Sequence, residues 1–125
     1  LASILTHPRF ALLGFVEDLG PLYDSHRVFI APTRFAAGIP YKIHEAAAHG
    51  LPSVATDLLC QQIGWTAGSD LACAPSNSPG TFAAAMNESY TDEALWNTLR
   101  RNAVHRIFME NRKSTSLDIL ESLLD

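Results

Sequence analysis

Residues Pro32 to Thr56 read PTRFAAGIPYKIHEAAAHGLPSVAT, and this stretch decides the fold. It reads as the end of a strand, a short loop, a helix over 40–49, a turn and a further strand at 53–56. Pro40 suits the first helical turn, because it has no N–H to leave unpaired and its φ is already helical. Gly50 suits the residue just past the helix end, where a left-handed conformation is common. Pro52 then blocks continuation. Between these stops lie about two and a half turns of helix. Its small residues Ala46, Ala47 and Ala48 let it lie close on a sheet.

Upstream, the apolar run from Phe10 to Val16 reads as a buried strand. Asp18 is placed to cap a short helix over 19–26, with Leu19, Leu22 and Tyr23 on its inner face. Arg27-Val-Phe-Ile-Ala31 is a second strand, stopped by Pro32. Downstream, Asp57 can cap a helix that ends near Gly64, and a fourth strand is expected at 70–74. Residues 75–80 form a loop into a helical C-terminal third. There Phe82, Ala85, Met86 and Tyr90 make one stripe. Asp92 opens the next helix, with Leu95, Trp96, Leu99, Ala103, Ile107 and Phe108 turned inward, and Leu117–Leu124 supplies a last helix. Trp96 is the expected core anchor; Trp65 either packs over the sheet end or faces another domain. Strands alternating with helices predict an α/β domain, a Rossmann-like parallel sheet with helices on both faces and right-handed crossovers. Ligands of such sheets sit beyond the carboxyl ends of the strands. The loops 14–18 and 32–39 leave strands at those ends.

The 125 residues make one domain, and with 47% hydrophobic and 18% charged residues it is of ordinary globular composition. A net charge of −4 argues against a nucleic-acid partner, which requires a basic face. No apolar run reaches the roughly 18 residues of a membrane span, and no signal peptide is apparent. Cys60 and Cys73 read as two small buried hydrophobes in a reducing compartment, which places the chain in the cytoplasm. The five histidines lack metal-ligand spacing; His44 and His49 do not share a helix face. Asn87-Glu-Ser89 matches a glycosylation sequon but falls within a predicted helix. The acidic strand-end cluster of a phosphorylated receiver is absent.

Lys42 is the anomaly of the central segment. A cation in the first turn faces the positive end of the helix dipole, which costs about 0.3–1 kcal/mol uncompensated. A bound phosphate reverses the sign, since free N–H groups, dipole and lysine would all face one anion. Glu45, three residues on, leans toward the same end, and a carboxylate there can accept two hydrogen bonds from a vicinal diol such as a ribose. The plain alternative is a surface lysine and an ordinary helix ion pair, worth a few tenths of a kcal/mol.

These residues resemble the nucleotide-sugar-binding half of retaining GT-B glycosyltransferases of the family 4, or group 1, type. The matching elements are Ala31-Pro32-Thr33, Gly38, Glu45-Ala46 and Gly50-Leu51-Pro52-Ser53-Val54-Ala55-Thr56. Leu12-Leu13-Gly14-Phe15-Val16-Glu17-Asp18-Leu19 is similar to the family's strand, Gly-Phe-Val and acidic passage, and Asp70-Leu71-Ala72-Cys73-Ala74 to its last core strand. The resemblance covers about residues 8–110. One departure stands out: the first glutamate of the family's Glu-x7-Glu motif, which contacts the transferred sugar, is Ala37 here. Some branches share a loop with Arg near its start and Lys before Glu-Ala, as Arg34 and Lys42 are placed here.

The resemblance implies a donor-binding domain, residues 1–125, of a metal-independent, cofactor-free glycosyltransferase that passes a glycosyl group from a nucleotide-diphosphate sugar to an acceptor. Gly38, Ile39, Pro40 and Tyr41, with Lys42, would hold the diphosphate. Glu45 would bind the ribose, and the backbone at Phe15 and Val16 would meet the base. Lys42 and Arg34 are the candidate catalytic cations. The chain opens on Leu1, without an initiator Met, and is expected to be part of something longer. An N-terminal acceptor domain and the first two strand–helix units of the donor domain have no counterpart in it, so it is expected to transfer no sugar alone and either to show an open sheet edge or to pair its first strand differently. A non-catalytic nucleotide-sugar-binding or interaction module of the same fold is the alternative.

Overall fold

The computed structural model describes the backbone of residues 7–33 and 41–124 and the side chains of 7–33, 41–111 and 123. The elements are α1 (Gly20–Ser25), β1 (Phe29–Ala31), α2 (Tyr41–Ala48), β2 (Ser53–Thr56), α3 (Asp57–Ile63), β3 (Ala72–Ala74), α4 (Pro79–Thr91) and α5 (Glu93–Leu124). The three strands pair in parallel in the order β1-β2-β3, with Ile30 beside Val54 and Ala55 beside Cys73. This is a Rossmann-like α/β arrangement.

Alternation along β2 sorts the core into two layers. Val54 points to one face, where it packs with Ala74 and Phe82 of α4. Ala55 points to the other, joining Ile43 and Ala47 of α2, Leu59 and Cys60 of α3, Trp65, Leu71 and Ala103 of α5. Every residue of β2 is buried, as befits a central parallel strand covered on both faces. Full burial of a Leu or Val side chain contributes about 1.5–3 kcal/mol; Leu71, Leu99 and Val54 are all at 0% exposure.

The glycine stops read from the sequence operate as expected. Gly50 has φ +73°. The Gly50 N–H bonds to the Ala47 carbonyl and the Leu51 N–H to that of Ala46, both at 2.9 Å, which is a Schellman stop. Arg100 of α5 packs over this turn so closely that a Cβ on Gly50 would lie 2.9 Å from its Nε. Gly64 ends α3 with φ +74°. The Asp92 carboxylate accepts the Leu95 N–H ahead of α5, but the N-cap of α3 is Thr56, without a side-chain cap bond, and Asp57 is the first helical residue, accepting the Leu58 N–H.

Five expectations need correction. Residues 10–16 form no strand, and Phe10, Leu12, Leu13 and Phe15 are exposed. A strand needs a neighbour for its N–H and C=O groups and a covered face for its side chains; among the described residues this segment has no strand partner. The outer side of β1 is equally unpaired among them, and a groove of about 450 Å³ runs beside it, lined by Val28, Ile30, Met86 and Tyr90. Second, Cys60 and Cys73 are joined in a disulfide. Because Ala55 and Cys73 are register partners, Cys73 shares the face onto which α3 folds back from β2, and this brings Cys60 over it, Cα to Cα 6.5 Å. The bond removes the argument for a reducing compartment that rested on two separate thiols. Third, the C-terminal third holds no separate helix at 117–124; α5 is continuous, since no Gly or Pro interrupts it.

The fourth correction concerns Trp96, the expected core anchor. Trp65 is the buried one, its indole N–H donating to Glu110 Oε1 at 2.9 Å. Trp96 is half-buried, donating to the Arg27 carbonyl at 2.8 Å beneath the Arg27 guanidinium. Fifth, Tyr90 and Phe108, placed on inner stripes, are exposed. No helix among the described residues is long and apolar enough to cross a membrane.

Candidate functional site

The site forms where α1 meets α2. The Asp18 carboxylate accepts the Gly20 N–H at 2.9 Å and Pro21 occupies the first turn, which starts α1 directly after the 14–18 loop. This sends Tyr23 inward against Ala46 and Leu51, with Leu19 and Phe29 packed around them. A buried tyrosine needs a partner for its hydroxyl. Tyr23 finds one across the interface: its O–H donates to Glu45 Oε2 at 3.1 Å. Burial first, and then the hydrogen bond and charge of Glu45, push the phenol pKa up to about 12. The neutral, donating form is therefore the one present around neutrality.

A second tie lies beside the first. Glu45 and His49 are one helical turn apart on the same face. The His49 ring leans on Tyr23 at 5.3 Å between centroids, and its Nδ1 lies 2.9 Å from Asp24 Oδ1. Between these ties opens a pocket of about 300 Å³, lined by Val16, Asp18, Gly20, Tyr23, Glu45 and His49 among others.

Of the residues singled out from the sequence, Val16 and Glu45 meet in this pocket. Phe15 points its side chain to solvent, 93% exposed. Tyr41 and Lys42 lie exposed in the first turn of α2, and neither lines the pocket. Arg34, Gly38, Ile39 and Pro40 lie outside the described residues. The loop that contains them leaves β1 beside the exit of β2, since the Thr56 hydroxyl donates to the Thr33 carbonyl at 2.7 Å. Sequence reasoning placed Tyr23 on an inner face but gave it no role at the site. The available signal was a lone tyrosine hydroxyl on an otherwise apolar helix face.

The other flank of α2 is occupied by structural contacts. His44 Nε2 lies 3.1 Å from Glu110 Oε2, and its ring stands edge-on to Trp65 at 5.4 Å. His44 within α2 and His49 just past its end thus serve opposite sides. No group of three His, Cys, Asp or Glu side chains among the described residues could hold a metal ion.

The pocket and α2 both fall within the region matched by a protein-family model, that of the glycosyl transferases group 1, over residues 1–92. No curated protein matches the chain significantly. The family match takes in the 14–18 loop, all three strands and the helix carrying Glu45, and it covers well over half of the sequence. The chain belongs to the group 1 glycosyl transferases.

Proposed function

We propose that the chain binds the nucleotide diphosphate of a sugar donor and forms the donor-binding part of a retaining glycosyltransferase that works without a bound metal. The observation that carries this reading is the position of Glu45. It lines an open pocket together with the 16–18 loop, where a carboxylate suits a ribose diol and nearby backbone suits a base. Family membership supplies glycosyl transfer as the general reaction.

In this reading the diphosphate lies at the start of α2, against the N–H groups of its first turn and Lys42. The carboxylate of Glu45 accepts the 2′ and 3′ hydroxyls. As the glycosidic bond breaks, negative charge grows on the leaving diphosphate. Lys42, Arg34 and the helix N-terminus stabilise that charge more than they stabilise the intact donor, which is electrostatic catalysis. Tyr41 and the residues Gly38 to Pro40 complete the diphosphate contact.

The test is a titration of ribonucleoside diphosphates against thermal stability. Binding at a hundredfold excess over Kd stabilises by about 2.7 kcal/mol. Lys42→Ala and Glu45→Ala should each abolish the shift. Two variants that bind like the parent would end the assignment. A second reading, a nucleotide-sugar-binding module without transfer, is favoured by Ala37 at the position where the family's sugar-contacting glutamate stands. Transfer assays with the chain by itself are expected to show no product on either reading; product formation would exclude the module.

A further inference from the structure

We infer that Tyr23 is a positioning residue for Glu45, holding one carboxylate oxygen so that the remaining acceptor sites are presented to a ribose diol. The inference rests on the nucleotide-binding reading above. Glu45 is exposed on α2, and a free glutamate there would spread over several rotamers, so ordering it at the moment of binding would weaken the complex. Tyr23 removes that freedom in advance. Its O–H donates to Oε2 at 3.1 Å, which uses one of the roughly four lone-pair positions of a carboxylate. The rest stay available for two hydroxyl donors.

The phenol can act as a fixed point because it is itself locked. Tyr23 is 7% exposed and packed on Ala46 and Leu51. Phe29 meets its ring edge-on at 6.0 Å, and His49, anchored by Asp24, leans on its other side. A rigid donor on a separate helix, packed into the core, is the arrangement that preorganises a binding carboxylate. The same contact also sets the pocket width, since Tyr23 and Glu45 sit on facing helices and both line it.

The experiment uses the full chain and measures Kd by calorimetry for UDP, ADP and GDP and for their 2′,3′-dideoxy counterparts. Tyr23→Phe removes one oxygen and keeps the packing. It should weaken the ribonucleotide that the parent binds by about five- to tenfold, as loss of a partly exposed hydrogen bond to a carboxylate would. The dideoxy affinity should change by less than about twofold, because that ligand makes no use of Glu45. Glu45→Asp, which withdraws the carboxylate from the phenol without touching the core, should produce the same selective loss. Equal losses for both ligand types in Tyr23→Phe, or no loss for either, would overturn the positioning role while leaving the nucleotide site intact. A parent chain that binds none of the diphosphates would overturn the nucleotide reading and this inference together.

Discussion

Ser53–Thr56, half of it polar, and the apolar Phe10–Phe15 are both short stretches read as strands, and they end in opposite states. The first lies between two parallel neighbours and under helices on both faces, so every residue is buried. The second forms no strand, and its phenylalanines and leucines stand in solvent. The difference is a matter of partners. Apolar side chains supply the free energy for burial, but a strand also has to satisfy two polar backbone groups per residue, and only a neighbouring strand does that in a sheet. The contrast locates stability in the β2-centred core and predicts that the 10–15 segment contributes little to it.

The largest effect should come from the core side of the comparison. Leu71 is fully buried among Ile43, Leu59 and Trp65. Leu71→Ala removes those contacts and leaves a cavity, so it should cost about 2–5 kcal/mol in urea unfolding. A loss below about 1 kcal/mol would mean that the core is looser than its burial implies. Next in size is the disulfide. Cys60 and Cys73 close a loop with a sequence separation of 13, and cross-linking a loop of about 15 residues stabilises by about 3 kcal/mol in the chain-entropy account. A Cys60→Ser, Cys73→Ser double variant should lose stability of that order. The same loss should appear when the parent is fully reduced, and blocking of free thiols under non-reducing conditions should label neither cysteine.

A smaller effect is expected at Asp70, in the turn before β3. Its buried carboxylate accepts the Thr66 N–H at 2.8 Å and the Arg106 Nε–H at 2.9 Å, tying the 66–70 turn to α5. Asp70→Ala removes both bonds, leaving the exposed Thr66 amide to water and freeing a half-exposed arginine, so the cost should be about 1 kcal/mol. Asp70→Asn, which keeps an acceptor for the amide, should recover part of it. If the two variants are equally destabilised, charge pairing with Arg106 outweighs the turn contact.

How much of this was legible in the sequence depends on how local each signal is. The helix Tyr41–Ala48 and its Schellman stop follow from Gly50 and Pro52, residues whose own backbone preferences decide the outcome. The same holds for the start at Asp92, whose carboxylate accepts the Leu95 N–H, whereas Leu19 and Thr56, not Asp18 and Asp57, stand at the N-caps of α1 and α3. Parallel alternation gave the sheet, since βα units leave few topologies. What depended on partners far along the chain was misread. The disulfide required knowing that β3 lies beside β2, and the half-burial of Trp96 required knowing where α5 crosses. At the candidate site, the place of Glu45 on the helix before the Gly-Leu-Pro turn was legible, but its spacing to Lys42 did not bring both into the pocket, which Glu45 lines and Lys42 does not. Tyr23 and His49 were not legible, because their roles arise from how α1 docks on α2.

The smallest effect is the most direct check on the opening contrast. Leu12 and Leu71 are the same residue type at 77% and 0% exposure. Leu12→Ser should therefore change stability by no more than about 0.5 kcal/mol, as surface substitutions generally do. It should also reduce self-association at high concentration, since it breaks an apolar run left in solvent. A loss of 2 kcal/mol or more would show that the 10–15 segment is covered in solution. The place to look for its partner would then be the outer edge of β1, which is unpaired among the described residues. There Ile30 is 41% exposed beside an apolar groove, and a strand could find both the backbone groups and the covered face that the segment lacks.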